Sequence, residues 1–454
     1  MENIQKNPMG TKPIPSLIFT IGFPPIISMF VQSMYNVVDS IFVAKLGENA
    51  LTAVSLAAPL QYTVLAVSVG VGVGINSYIS RSLGADNIEE ANNTVTHSMI
   101  LSFIHSVLFI ILGILFIKPF FNIFTDSKEI FELSCNYTYI VILLSFSLFF
   151  QITFEKVFQA TGNTLLPTIS QIIGAVVNIV LDPIFIFGMF GVPKLGVTGA
   201  AIATVIGQIV SFTILLVFFI KSDSILKINL KSFKWKFNII KEIYSVGIPC
   251  ALMISITSLL SILLNGILIK FSNTAVAIYG IYYRLQTFLT MPINGLVQGV
   301  RPIIGYNYGA QSRERVFEAL KVSLIISVVI MVIGFLLFMF MPKQLLELFD
   351  ASEDMMTMGI QTLRIMSLGF IFAAFSLIIS AMYESIGKGT NSLIISLLRQ
   401  FIIIIPVSAL FYETIGLTGI WITFPVSEIV AALVCLFMFM NTCKKDAIFS
   451  KDNK

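Results

Sequence analysis

The chain has 454 residues, of which 56% are hydrophobic and 11% charged, with a formal net charge of +4. A soluble domain carries about a quarter charged residues, so a deficit running the whole length excludes an ordinary soluble domain and puts the chain in a bilayer. Lipid leaves only helices or a closed barrel, and apolar runs as long as 100–117 and 323–341 exclude the short alternating segments of a barrel.

Taken in chain order, residues 1–15 are polar with no cleavable signal pattern, so the first apolar run is expected to remain as a helix. Twelve candidate helices follow, beginning near Ile14, Ala50, Val95, Leu133, Leu165, Gly196, Ile240, Ala275, Val316, Met356, Ser392 and Gly416. The first two and the seventh and eighth are long enough to tilt or to project from the bilayer. Cys135, Cys250, Cys435 and Cys443 are far apart and read as small hydrophobes, without a disulfide framework or zinc site.

Orientation follows from the basic residues. The segment after the sixth helix, 221–241, holds six lysines against Asp223. It sits on the same side as Arg313, Arg315 and the tail lysines Lys444, Lys445, Lys451 and Lys454. The opposite loops carry Asp126, Glu129 and Glu132, and Glu347, Asp350, Glu353 and Asp354. The positive-inside rule then places both termini in the cytoplasm.

An internal repeat organises the whole chain. At a shift of 225 residues, Gly22 and Pro24 fall on Gly247 and Pro249, Lys45 on Lys270, Gly70 and Gly74 on Gly295 and Gly299, and Gly162 on Gly387. After a five-residue deletion, Gly196 and Gly199 fall on Gly416 and Gly419. Each half therefore holds six helices, and because six is even the halves are parallel repeats. The expected fold is an all-α polytopic membrane protein with twelve transmembrane helices in two pseudo-symmetric six-helix lobes. Its expected divisions are a first lobe over 1–220, a cytoplasmic basic linker over 221–241, and a second lobe with a short cytoplasmic tail over 242–454.

The chain is not expected to hydrolyse nucleotide alone: no G-x-x-x-x-G-K-[ST] motif occurs, and no stretch can house a nucleotide-binding domain. Gly70, Gly72 and Gly74 follow no strand and read as close helix packing. His97 and His105 lack a second ligand type at metal spacing and read as packing residues. No nucleophile and base can be placed together, so the chain is not read as an enzyme. No cofactor and no nucleic-acid partner are expected; solute movement is passive or driven by an ion gradient.

Charges within the hydrocarbon cost at least about 2.5 kcal/mol each, so each needs a reason. Asp39 and Asp182 each lie six residues before the outer end of their helix, marked by Lys45 and Gly188. Both are thus roughly 9 Å below the outer end on helices that run the same way. Asn36 and Asn178 share the faces of Asp39 and Asp182, and Pro183 leaves the Ile179 carbonyl without its helical partner. Such an oxygen-rich cluster can hold a hard cation, or the two carboxylates can share a proton. At the 225-residue shift Asp39 falls on Leu264 and Asp182 among apolar residues near Ile405, which confines the site to the first lobe. The second lobe instead carries Arg284, Arg364, Arg399, Glu384 and Glu428. Arg399 and Glu428 are expected to pair between helices eleven and twelve, and Arg284 and Arg364 to act as anchors. Glu155 and Lys156 are adjacent, so they are expected to point apart at the interface, with a cavity-facing Glu155 as the alternative.

Four segments together resemble the multidrug and toxic compound extrusion (MATE) family, in its bacterial branch. They are 34–39 (MYNVVD), 178–183 (NIVLDP), 195–204 (LGVTGAAIAT) and 302–310 (PIIGYNYGA). The resemblance covers about residues 14–440. It implies two six-helix lobes and a monomeric exporter in the bacterial inner membrane. It further implies alternating-access antiport of amphipathic, mostly cationic small organic compounds against sodium or protons. It also implies an ion and substrate site at Asp39, Asp182, Asn178 and Thr204, joined by Asn36 from the reading above. A sodium ion would sit at Asp39, Asn178 and Asp182. The family's occasional acid in helix seven has only hydroxyls and Ile256 in its place, over 255–258. The alternative is a flippase of the same superfamily for lipid-linked sugars or polymers, whose phosphates would call on Arg284 and Arg364.

Overall fold

The computed structural model describes residues 7–222, 225–230, 233–446 and 448–449. Asp223, Lys231, Lys451, Lys454 and the side chain of Ser258 lie outside the described set. No strand occurs among the described residues.

Twelve helical segments follow one another. They are α1 (Ile14–Ala44), α2 (Glu48–Gly84), α3 (Ile88–Phe124), α4 (Lys128–Leu143 then Phe146–Ala160), α5 (Leu165–Phe187) and α6 (Val197–Lys221). The second half has α7 (Phe237–Leu268), α8 (Asn273–Gly309), α9 (Arg313–Phe340), α10 (Glu353–Ser367 then Phe370–Ser385), α11 (Gly389–Leu397 through Ile404–Thr414) and α12 (Leu417–Lys445). Nine are long and apolar enough to cross a membrane, and the bent pairs α4 and α10 bring the number to eleven among the described residues. The twelfth, α8, is long enough but more polar, with Arg284, Gln286, Asn294, Gln298, Arg301 and Asn307 along it. On α3, exposed Ile114, Leu115 and Phe116 are as apolar as its buried face, as befits a helix whose surroundings are not water.

α3 begins at Ile88, seven residues before the expected start, because the Asn87 side chain accepts the Glu90 N–H at 3.0 Å and caps it. At 37 residues it matches the long α2 and α8, which its polar first turns hide in the sequence.

The repeat is present in the backbone. α4 and α10 bend at matching places by 44° and 47°. Gly162 and Gly387, one shift apart, end those helices at φ +87° and +83°, a region that costs glycine nothing.

Two compact units result. The first lobe is Phe23–Ala251; the second is Met1–Gly22 with Leu252–Lys454. The start of α7 thus belongs with the first lobe and the start of α1 with the second, which no linear division at 220 and 242 anticipates. Close packing explains both placements. In the first lobe, a Cβ on Gly74 would stand 2.0 Å from the Ile243 carbonyl, and one on Gly70 2.6 Å from the Gly247 carbonyl. In the second lobe, a Cβ on Gly299 would stand 2.6 Å from the Ile21 carbonyl. Gly22 and Gly247 therefore occupy equivalent places, each packed against a partner glycine, Gly299 or Gly70, whose Cβ would enter the backbone.

The basic segment between the halves is not a free tether. The backbone N–H groups of Lys227 and Asn229 donate to Asn92 and Thr96 on α3, at 2.7 and 3.1 Å. His97 donates from Nδ1 to the Asn93 carbonyl and accepts the Lys236 N–H at Nε2, 2.9 Å away. His105 meets the Tyr244 hydroxyl at 2.8 Å. Both histidines hold the start of α7 and the segment before it against the first lobe.

Candidate functional site

The first-lobe site is built by three helices whose polar residues recur at helical spacing. α1 presents Gln32, Tyr35, Asn36 and Asp39, α5 presents Asn178 and Asp182, and α6 presents Thr204 and Gln208. Asp182 is fully buried, Asn178 nearly so, and Asp39 partly. Asp39 and Asp182 are near enough to interact electrostatically, and two neighbouring carboxyl groups can share one proton. The Asn178 amide donates to Asp182 Oδ1 and to Thr204 Oγ1, each at 3.4 Å. Asp39 Oδ1, Asn178 Oδ1 and Asp182 Oδ2 are buried acceptors that no protein donor satisfies. Buried oxygens in that state are costly unless a proton or cation completes them.

A cavity of about 400 Å³ opens beside the cluster, lined by Asn36, Asp39, Tyr62, Gln61, Tyr137 and Thr204 among others. Asn36 is exposed on its wall rather than part of the carboxylate cluster. Gln61 donates to the Tyr137 hydroxyl at 3.0 Å and Gln208 accepts from Ser147 at 2.9 Å, which holds those amides in place. These lining amides were not singled out from sequence; glutamines recurring inside apolar helices were the available signal. No cluster of three or more His, Cys, Asp or Glu exists among the described residues. The oxygen donors present suit a hard cation or a proton rather than a resident transition metal.

One expectation fails. Glu155 and Lys156 do not point apart at the interface: both are buried, and Lys156 Nζ meets Glu155 Oε1 at 2.9 Å. Gln159 and Gln171 donate to the same carboxylate, and Lys156 also donates to Gln159. Adjacent Cα–Cβ bonds diverge, but long side chains enclosed by neighbours bend together to avoid unpaired burial. Arg399 does pair with Glu428, through Nε and Nη2 at 2.8 and 2.9 Å. Arg364 donates to the Met339 carbonyl at 3.0 Å, and Arg284 lies exposed.

A multi-pass helical fold built from two repeats, with a solute-sized cavity beside buried carboxylates, defines a polytopic membrane transporter. The MatE family model matches twice, over residues 24–184 and 249–410, two starts that are one repeat shift apart. The chain belongs to the MatE family. It is 26% identical to the multidrug export protein MepA of Staphylococcus aureus strain MSSA476, over 94% of this chain and 93% of that one. MepA of Staphylococcus haemolyticus is also 26% identical, covering 92% and 91%. Among solved structures, an outward-facing multidrug resistance MATE transporter of the MOP superfamily superposes with TM-score 0.90 at 29% identity, covering 97% and 98%. A MOP superfamily transporter from Pyrococcus furiosus Vc1, described as having a binding pocket of reverse polarity, gives 0.89 at 29% identity, with 97% and 98% covered.

Proposed function

We propose that this transporter exports amphipathic, mostly cationic aromatic compounds across the bacterial inner membrane in exchange for entering sodium or protons. The observation that carries the reading is Asp39 on the wall of the 400 Å³ cavity, with the fully buried Asp182 as its electrostatic neighbour. A cationic solute gains from the carboxylates and from the faces of Tyr35 and Tyr62 on the cavity wall. A proton or sodium ion satisfies the same oxygens, with Asn178 and Thr204 supplying the neutral ones. Ion and solute therefore disfavour each other, and by linkage the antagonism is reciprocal. Alternating access of the site turns that antagonism into exchange. The basic segments favour cytoplasmic termini, and a monomer suffices because each carboxylate comes from one chain.

The flippase alternative draws less support, because neither Arg284 nor Arg364 lines the first-lobe cavity. The deciding experiment is dye efflux from proteoliposomes under an imposed sodium or proton gradient, one at a time. Export driven by one gradient and lost in Asp39→Asn supports the reading; flipping of a lipid-linked sugar without dye export replaces it.

A further inference from the structure

The second lobe holds a cavity of about 290 Å³, close to the lower end of ligand pockets, about 300 Å³. Its lining is the repeat counterpart of the first-lobe cavity. Eight wall positions coincide at the 225-residue shift, among them Gln32 with Thr257, Ala58 with Tyr283, Gln61 with Gln286 and Val141 with Met366. Eight coincidences make this the same architectural pocket, rebuilt with other chemistry rather than a packing defect.

The rebuilding has a consistent direction. The carboxylates are gone: Asp39 becomes Leu264, and Asp182 falls among apolar residues. In exchange, Gly174 of α5 becomes Arg399, and after the five-residue deletion Gln208 of α6 becomes Glu428. Arg399 and Glu428 close on each other as a two-bonded pair on the cavity wall. Opposite charges so paired leave the cavity neutral. A net cation or net anion entering it loses its hydration and finds no uncompensated opposite charge on the wall.

The rest of the wall is aromatic and hydrogen-bonding. Tyr279 and Tyr283 have ring centroids 6.4 Å apart, and Tyr279 packs on Phe424 at 6.1 Å. Thr257 donates to Gln400 Oε1 at 2.9 Å, which assigns the other end of that amide as a donor. Arg399 and Gln400 both reach the wall from a π-helical turn, Leu398–Ile402, whereas α5 runs unbroken over Leu165–Phe187. Single π turns inside α-helices occur frequently at functional sites.

We propose that the second-lobe cavity is a separate solute site, taking net-neutral planar aromatic compounds that stack on Tyr279 and Tyr283 and hydrogen-bond to Gln286 and Gln400. The first-lobe cavity, with its acids, selects for positive charge; the second selects against net charge of either sign. The site stands whether or not the first-lobe carboxylates prove to couple transport.

The test uses two dyes on one three-ring frame, uncharged acridone and cationic proflavine, titrated by fluorescence anisotropy into the purified full chain in detergent. Saturable acridone binding is expected, with affinity falling at least tenfold in Tyr283→Ala and in Gln286→Leu, and unchanged in Asp39→Asn. Proflavine binding should be unchanged in the two second-lobe variants. Tyr283 is 39% exposed, so its truncation leaves the core intact; Gln286→Leu supplies an independent reading with side-chain volume retained. Absence of saturable acridone binding by the unaltered chain would overturn the proposal. So would acridone displaced by excess proflavine, or acridone affinity indifferent to both substitutions in protein of normal size-exclusion profile.

Discussion

Asn76 and Gln159 in the first lobe stand one shift away from Arg301 and Glu384 in the second. The first pair is neutral: the Asn76 amide donates to the Lys156 carbonyl at 3.2 Å, and Gln159 donates to Glu155. The second pair is an ion pair at 2.6 Å, with Ser392 donating to the remaining carboxylate oxygen. One geometry thus serves two polar chemistries, and the same is true of the two cavities. The bends, the helix ends and the glycines at 22, 70, 74 and 162 are retained between the repeats, where backbones approach closely or turn left-handed. Buried polar groups diverge, because any set that satisfies itself is tolerated.

The comparison breaks hardest at the glycines. Gly74→Val and Gly299→Val should each abolish recovery of folded protein, since a Cβ would enter a carbonyl oxygen in either lobe. Overpacking costs about 1–3 kcal/mol where side chains yield, and backbone does not yield. Monodisperse protein from either variant, seen by size exclusion, would show that the starts of α1 and α7 can dock elsewhere.

Next comes the second-lobe ion pair. Arg399→Ala should lower stability, by at most about 3–5 kcal/mol, because the largely enclosed Glu428 loses its partner. Replacing both residues by Met should recover most of that loss. Thermal unfolding of the three proteins measures it, and equal melting of single and double variants would remove the pair from the account.

The first-lobe carboxylates should behave in the opposite way, with function lost and stability kept. Asp39→Asn and Asp182→Asn should each reduce gradient-driven efflux at least tenfold, and the double variant should be no worse than either, since residues acting as a unit are not additive. Full efflux in both single variants would move attention to the buried Glu155.

The smallest effect separates two caps one shift apart. Asn87 caps α3 with its side chain, whereas Ser312 makes no such bond at α9. Asn87→Ala should cost about 1 kcal/mol and Ser312→Ala clearly less, by denaturant titration. Equal costs would mean that the cap bond contributes nothing to the difference.

Much of this was legible from residues alone. Asp39 and Asp182 stand out because carboxylates are rare among apolar residues, and matching depth on parallel helices already pointed them at each other. Arg399 and Glu428 were legible for the same reason. Glu155 with Lys156 was not: adjacency on a helix argues for divergence, and only the packing of Gln159 and Gln171 around them shows a closed network. Gln61 and Gln208 were not legible, because a neutral amide can satisfy itself in many places and carries no charge to account for.

Sequence by itself determined the bilayer environment, the helices and the repeat, since lipid and backbone sterics act locally and leave periodic marks. It also located the two acids, through the cost of a charge in hydrocarbon. Only the tertiary structure decided that the starts of α1 and α7 pack with the opposite halves, that the lysine-rich segment docks on α3, and that the second lobe rebuilt its cavity around an ion pair. Those outcomes depend on which surfaces approach within a few ångströms, and residues as distant in sequence as Gly74 and Ile243, or Ile21 and Gly299, carry no local signal of that.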